Sequence, residues 1–183
     1  MAYTIESDYR AIRDSGPRPL SKIEWFVLHD MENTNKGGAA EATGSWFQNR
    51  AVQASTHYGI DNNSIQRYRT IGTICWGAPG ANTNGVHIEQ MGKASWNRDQ
   101  WFDNAKPTLD RTAWLLARLH KYLKKRGVIV PLRQLTDHEV RAHKHGIVTH
   151  RQLTRALGVG THTDPGTGYP LGWVVKRAQE YAE

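Results

Sequence analysis

The feature that most constrains this chain is residues 161–166 (THTDPG), which follow residues 148–150 (VTH) after a short connection. Pro165 has a fixed φ and biases the residue before it towards an extended conformation, while Gly166 permits a tight turn. The carboxylate of Asp164 is therefore expected to point in a defined direction, as a metal ligand must. Together the two segments offer two imidazoles and one oriented carboxylate for a binding site.

A third candidate ligand, His29, ends the predicted strand of residues 23–29, which is rich in aromatic and branched side chains. Both faces of this strand are apolar, so we expect it to be central in its sheet, with His29 at the end where sites usually form. Two His and one carboxylate, with water in the fourth position, are typical of catalytic zinc sites. Because the chain contains nine His, such a triad alone is not specific. His29, His150 and Asp164 are the predicted metal ligands.

Composition limits the class of protein. The 183 residues fit one domain, 1–183, which is large enough for a core without disulfides. The one cysteine, Cys75, excludes an intrachain disulfide and a metal site built only of thiolates. Residues 1–13 lack the apolar core of a signal peptide, and no run approaches membrane-spanning length. We expect a soluble, monomeric chain made in the cytoplasm, without membrane insertion.

The formal charge of +7 and the pI near 9.7 predict attraction to an acidic partner. Nucleic acid, anionic lipid and anionic cell-wall polymer all qualify, and simple solubility is the plainer explanation. The cations at residues 121–126 close a predicted helix, where the helix dipole favours them. No RNA-binding aromatic signature or zinc-finger spacing accompanies them, so nucleic acid is the weaker hypothesis and we expect no such partner.

Hydrophobic periodicity and turn residues predict alternating strands and helices. The predicted strands or extended segments are residues 23–29, 56–60, 65–69, 85–92, 128–135 and 147–149. The predicted helices are residues 39–49, 106–126 and 151–157 and a final amphipathic helix after residue 170. The remaining segments are an irregular lead-in over residues 1–20, a surface loop with a short helix over 96–104, and a polar stretch over 136–145 whose His138, His143 and His145 are assigned to the surface.

The predicted strand 85–92 carries the candidate general base. Its period of two places His87 and Glu89 on one face, where a carboxylate is costly unless it is paired or functional. A carboxylate near a metal-bound water can accept the proton that the water loses. The alternative is a Glu89 paired with an Arg. Trp76 is predicted to line a groove together with His57 and His87, although a half-buried strand histidine is the plainer interpretation of His57.

Several of these motifs occur in an order that resembles a known family. They are His29, residues 57–58 (HY), residues 85–89 (GVHIE), His150 and residues 162–166 (HTDPG). This order is similar to the zinc-dependent N-acetylmuramoyl-L-alanine amidases of the amidase-2 family, which are related to peptidoglycan recognition proteins. The HTD variant, with Tyr-Pro soon after, resembles catalytic domains of endolysins from phages of actinobacteria. The resemblance covers roughly residues 21–181, nearly the whole chain.

The resemblance implies a central mixed β-sheet flanked by α-helices, with Zn²⁺ in a groove at the sheet edge. His29, His150 and Asp164 match the zinc ligands, and Glu89 matches an acidic residue near the zinc-bound water. His162 stands where many members have a Lys that stabilises the oxyanion. Thr56 stands where some relatives have a Tyr near the metal, so Glu89 would carry the proton transfer alone.

The implied substrate is peptidoglycan, cut between N-acetylmuramic acid and L-alanine. Glu89 would accept and return the proton while zinc and a protonated His162 stabilise the oxyanion, so we expect activity to fall at alkaline pH. The implied organisation is one catalytic domain with no cell-wall-binding domain, released to the wall by a holin if the gene is carried by a phage. The alternatives are a non-catalytic peptidoglycan-binding module, a zinc peptidase acting within the stem peptide, and a basic nucleic-acid-binding domain with incidental histidines.

Overall fold

The structure, a computed structural model, describes residues 3–183. Its strands are β1 (Trp25–Leu28), β2 (Tyr58–Ile60), β3 (Ile65–Arg67), β4 (Gly85–Gln90) and β5 (Gly146–Thr149). Its helices are α1 (Ala39–Trp46), α2 (Arg98–Lys124), α3 (Asp137–Arg141), α4 (His150–Leu157) and α5 (Leu171–Ala182). The strands form one five-stranded sheet in the order β3-β2-β4-β1-β5, antiparallel only between β2 and β3. The predicted α/β class, a central mixed sheet flanked by helices, is confirmed.

Strand β1 lies inside the sheet, between β4 and β5, as its apolar faces predict. Phe26 and Leu28 point into the larger core, which contains the apolar stripe of α2 and residues of α5. Trp25 and Val27 point the opposite way, into a second core built with residues of α4 and of the segment around α3. Helices therefore cover both faces of the sheet, which is why every residue of β1 is buried.

Helix α2 begins earlier than the sequence predicts. The predicted helix 106–126 is only the second part of a longer element whose N-terminus is closed by a capping box of Asn97 and Gln100. Ala105 has non-helical angles (φ −125°, ψ 16°), and Pro107 follows this kink. The proline thus occupies the first turn of the second helical segment, the position that it favours.

The prediction of a surface loop over residues 96–104 is wrong for Trp101. This side chain is fully buried in the first part of α2, and its ring meets the ring of Tyr169 edge-on at 5.0 Å between centroids. The added Cβ of any residue other than glycine at Gly92 would overlap the indole. The polar neighbours of Trp101 in the sequence lie on the opposite, exposed side of the helix, which conceals its burial from a local pattern.

Residues 128–145 form short or irregular structure. Residues 128–135 are extended but join the sheet only through an isolated bridge between Gln134 and Ile147. The polar stretch 136–145 contains α3, which Thr136 and Glu139 close with a second capping box. His138 and His143 are exposed as predicted, whereas His145 is half-buried.

The lead-in is irregular, as predicted, across its described part, residues 3–20. It runs beside β3, where the Glu6 backbone N–H donates to Ile65 O at 2.9 Å and the Glu6 carbonyl accepts from Arg67 N at 2.8 Å. In residues 3–183 we find no helix with the length and apolar character needed to cross a bilayer.

The turn at Gly166 gives a test of how this fold is held together. Gly166 has φ +85°, and an added Cβ would overlap the backbone of Ala94. Gly127 has a similar φ, +76°, but nothing lies within 4 Å of the added atom. We expect Gly127→Ala to lower the free energy of unfolding by about 1 kcal/mol, from backbone conformation alone. Gly166→Ala should lower it by about 3 kcal/mol, since overpacking adds to that cost. Equal losses in urea unfolding would contradict this packing.

Candidate metal and catalytic site

Strand register brings His29 and His150 together. Leu28 in β1 pairs with Thr149 in β5, so the next residue of each strand lies at the same end of the sheet. The His29 backbone N–H continues the ladder by donating to Ile88 O at 2.9 Å. At the end of β5 the Thr149 side chain caps α4, so that His150 is the first residue of this helix. The histidines are therefore fixed by backbone hydrogen bonds at the carboxyl edge of parallel strands.

Asp164 reaches the same place from the loop that follows α4. Its backbone carbonyl accepts from Arg151 N at 2.8 Å, and Gly166 N donates to Thr163 O at 2.8 Å to close the turn. The Asp164–Pro165 peptide bond is cis. The two backbone hydrogen bonds return the loop to the start of α4 and direct the carboxylate towards both imidazoles.

Three ligand atoms converge in this way. The Nδ1 atoms of His29 and His150 are 3.1 Å apart, and each lies 3.2 Å from Oδ2 of Asp164. A tetrahedral ion bound at about 2.0 Å needs ligand atoms separated by about 3.3 Å. The donor set, two imidazoles and one carboxylate, suits zinc in composition and spacing. Within residues 3–183, this triad is the group that could hold a metal ion.

The charge states of the triad favour a cation. Burial alone would raise the pKa of Asp164, but hydrogen bonds from His150 and His29 and the charges of these histidines hold it well below its usual range. Burial lowers the pKa of His150 against the opposing effect of the Asp164 carboxylate. An ionised carboxylate beside a neutral imidazole is the protonation state that metal binding requires.

His87 and His57 do not line the groove, so their predicted role as groove residues is wrong. Both are fully buried, because β4 lies inside the sheet and the loop containing Gly77 packs directly against the His87 ring. They instead lie behind His29, whose Nε2 is 3.1 Å from Nδ1 of His87. The sequence pattern placed His87 on the correct face but gave no sign that this position was covered.

The hydrogen bonds behind the site assign the tautomers. The His87 backbone N–H donates to Nδ1 of His57 at 3.0 Å, so this nitrogen carries no proton. The proton of His57 is then on Nε2, which donates to Thr73 O at 3.0 Å. Burial, followed by the charge of Arg18, lowers the pKa of His57 to about 3. Burial also holds the pKa of His87 well below its usual range, with the charge of His29 as the next cause. Both rings are neutral at physiological pH.

An open cleft of about 620 Å³ lies over the triad. Glu89 and Trp76 line it. Burial raises the pKa of Glu89 well above its usual range, and the charges of Asp164 and Asp30 add to the effect. Trp46 at the end of α1 also lines this cleft and is 53% exposed.

Two further polar groups line the cleft, Asp30, which the sequence argument missed, and Thr56. Asp30 is only 8% exposed, and its Oδ2 has no hydrogen-bond partner among the described residues. Burial, with the charges of Glu32 and Asp164, raises its pKa to about 7 despite a hydrogen bond from the Glu32 backbone N–H. The buried hydroxyl of Thr56 also has no partner in the described part of the chain. The adjacency of Asp30 to His29 was the available signal for the first of these groups.

His162 lies at the exposed side of the triad. Its ring stacks on His150 with 3.8 Å between centroids, and its Nδ1 is 3.6 Å from Oδ1 of Asp164. Burial and the charge of His150 lower its pKa, although Asp164 opposes this. The lowered pKa argues against the protonated His162 that the sequence hypothesis used.

The buried carboxyl of Asp30 generates a prediction on stability. Its pKa of about 7 in the folded state exceeds the ordinary value of 3.8, so the folded chain binds more protons between these two values. The free energy of unfolding of the metal-free protein should therefore fall as pH rises through this window. Asp30→Asn keeps the oxygen that accepts from Glu32 N but cannot ionise. Between pH 5 and 8, the free energy of unfolding of this variant should therefore fall by about 2 kcal/mol less than that of wild type. Urea titrations of metal-free protein at both pH values measure it, with exposed Asp103→Asn as the control. The same pH dependence in wild type and Asp30→Asn would contradict the assignment.

Comparison with known proteins identifies the family. The family model for N-acetylmuramoyl-L-alanine amidase, Amidase_2, matches residues 19–167. A Staphylococcus aureus hydrolase, AmiA, solved with its ligand, has a similar fold (TM-score 0.75, 18% identity, 100% of this chain and 84% of that chain). So has the N-acetylmuramoyl-L-alanine amidase LysC of Clostridium intestinale (TM-score 0.55, 14% identity, 97% and 99%). A mutant Bacillus subtilis endolysin aligns over 82% of this chain and 85% of its own (TM-score 0.55, 16% identity).

No curated protein matches the chain by sequence. The family match spans most of the chain and includes His29, His150 and Asp164. The chain therefore belongs to the N-acetylmuramoyl-L-alanine amidase family.

Proposed function

We propose that this chain is a zinc-dependent amidase that cuts peptidoglycan between N-acetylmuramic acid and L-alanine, and that it serves as the catalytic domain of a phage endolysin. The observation that carries the proposal is the convergence of His29, His150 and Asp164 on one point beneath an open cleft. Family membership supports peptidoglycan amidase activity. The HTD motif and the likeness to endolysin structures support the endolysin role.

The triad and its surroundings suit zinc in particular. A zinc ion held by these residues supplies Lewis acidity, which makes water nucleophilic at neutral pH and polarises an amide carbonyl. The two imidazoles and one carboxylate would leave a bound zinc ion with a net positive charge. The cleft above the triad would give a substrate access to it.

Glu89 is the residue best suited to proton transfer. It lines the cleft on the same face of the sheet as His29, and burial, followed by the nearby carboxylates, raises its pKa. A cation bound by Asp164 would offset the repulsion from these carboxylates and return Glu89 towards the ionised form that a general base needs. Glu89 then accepts a proton from the attacking water and delivers it to the departing amine.

His162 acts as a neutral group. Stacked on His150, its exposed ring can donate one N–H to the carbonyl oxygen as negative charge develops. On the walls of the cleft, Trp46 and Trp76 offer flat surfaces for the sugar and stem peptide. We infer that the enzyme works as a monomer on the wall, reached from the cytoplasm through a holin.

The first test is an analysis of the products released from purified peptidoglycan. Wild-type protein should release stem peptides with a free L-alanine amino terminus. Protein stripped with EDTA should release none, and adding zinc to the stripped protein should restore the release. Glu89→Gln keeps the shape of the side chain and should lower turnover by about 10²–10⁴-fold while zinc binding persists. Exposed Glu180→Gln is the matched control.

Two results would replace the proposal with a rival. New amino groups inside the stem peptide would identify a peptidase that uses the same site. Binding to the peptidoglycan without release in any metal state would identify a recognition module.

The contact between His87 and His29 predicts an effect on metal affinity. With Nδ1 of His29 facing the metal position, its Nε2 carries the proton and donates to His87, which fixes the ring of the ligand. His87→Ala should weaken zinc binding by about 10–100-fold, measured by competition with a chromophoric chelator. Exposed His138→Ala removes an imidazole elsewhere and should leave the affinity unchanged. Equal affinities for wild type and a folded His87→Ala would show that His87 does not orient the ligand.

A further inference from the structure

A second charged surface lies on α2, away from the cleft. The chain has no Asp or Glu between Asp110 and Asp137, although this stretch contains many Arg and Lys residues. Exposed helix faces usually alternate charges of opposite sign at four-residue spacing, because such pairs stabilise the helix. A helix face that omits every carboxylate keeps its cations free for another partner.

We name this surface the cation–aromatic face and define it by six side chains of α2 and the turn after it: Trp114, Arg118, Lys121, Tyr122, Lys125 and Arg126. Four of them alternate aromatic and cationic at four-residue steps along one side of the helix. The Arg118 guanidinium lies 5.5 Å from the ring centroid of Trp114, and that of Arg126 lies 3.7 Å from Tyr122.

The face borders two adjoining grooves of about 520 and 560 Å³. Arg67 and Tyr3 also line the first groove, and Tyr181 also lines the second. Among the residues that line them, no carboxylate occurs. In the described part of the chain, the cations of this face form no ion pair, and Tyr122 is 42% exposed. The grooves therefore present positive charge and aromatic surface to solvent.

Attraction to the helix dipole explains why cations occur at the end of α2. It does not explain why two of the arginines stack on aromatic rings. A guanidinium over a ring has fewer conformations to lose. Nη1 of Arg126 donates to Tyr122 O at 3.2 Å, and the other guanidinium N–H groups of Arg126 and Arg118 make no hydrogen bond among the described residues. Arg118 and Arg126 are eight residues apart, which is about 12 Å along the helix. Two fixed guanidinium groups at that spacing suit a chain of repeated anions better than one small anion, because each further contact is intramolecular.

The cation–aromatic face and the cleft use opposite faces of the sheet. Val86 and Ile88 of β4 point into the core formed with α2, while His87 and Glu89 point to the side of the metal triad. The grooves on α2 and the cleft share no lining residue. A ligand on α2 would leave the cleft open to substrate.

We propose that the cation–aromatic face binds a phosphodiester-linked anionic polymer of the cell wall and holds the protein there while the cleft acts on peptidoglycan. Phosphate groups match the N–H groups of the stacked arginines that have no partner in the described chain, and the sugar or polyol units match the aromatic rings. The choice of a wall polymer among polyanions rests on the proposed function. The location of the binding face does not depend on it.

The experiment measures binding without turnover. Full-length protein stripped with EDTA is mixed with cell walls that keep their phosphodiester polymers and with the same walls after hydrofluoric acid has removed them. The variants are Lys121→Gln/Lys125→Gln and Arg118→Gln/Arg126→Gln. Lys22→Gln/Lys144→Gln makes the same change of charge at exposed positions outside the face. Thermal unfolding confirms that each variant is folded.

We expect wild-type protein and the Lys22/Lys144 control to bind native walls about tenfold or more tightly than stripped walls, with affinity falling as salt rises. Each pair of substitutions in the face should remove most of that difference. Inorganic phosphate should compete poorly, since it cannot span both arginines.

Three outcomes would overturn the proposal. One is equal binding of native and stripped walls by wild type, and another is an equal loss in the Lys22/Lys144 control. The third is binding of a DNA duplex more tightly than of native walls, which would assign the face to nucleic acid. Because no step needs catalysis, a chain without amidase activity could still pass this test, and an active amidase could still fail it.

Discussion

The parallel pairing of β1 with β5 is the constraint on which the site depends. Its register places Leu28 opposite Thr149, so that His29 and His150 extend from adjacent strands at the same level. Each side chain then begins a different connection, a loop after β1 and helix α4 after β5. The loop after α4 needs only to return to the start of that helix for Asp164 to complete the triad. Shifting the register by one residue would turn one histidine to the other face of the sheet.

Buried polar groups behind the triad stabilise this arrangement. His87 and His57 stack at 5.8 Å between centroids, and Nη2 of Arg18 lies 3.3 Å from Nε2 of His57. Because burial keeps both imidazoles neutral, they can hold His29 without adding positive charge near a cation. The carboxyls of Glu89 and Asp30 face the cleft instead, where burial raises their pKa values and the nearby carboxylates add to the effect.

Much of the fold, and the meeting of His29, His150 and Asp164, could be predicted from the sequence. The burial of β1 and the Pro-Gly turn after Asp164 depend on neighbours in the sequence, and the order of the motifs along the chain connects the distant segments. The early start of α2 could not be predicted, since a kink at Ala105 separates its short, mostly polar first piece from the apolar stripe that follows Pro107. Nor could the burial of His57 and His87, because the residues that cover them come from distant loops. Asp30 was missed for a similar reason, since its raised pKa depends first on burial, which only the folded chain reveals.

The position of a bound zinc ion is the most direct test of the proposed metal site. Anomalous diffraction at the zinc absorption edge, on crystals grown with one equivalent of zinc, locates the ion without reference to activity. We expect one anomalous peak within bonding distance of Nδ1 of His29, Nδ1 of His150 and the Asp164 carboxylate. A principal peak elsewhere, such as beside the exposed His138 and His143, would contradict it. Coordination through Nε2 of His29 would also contradict it, because that nitrogen is assigned to His87.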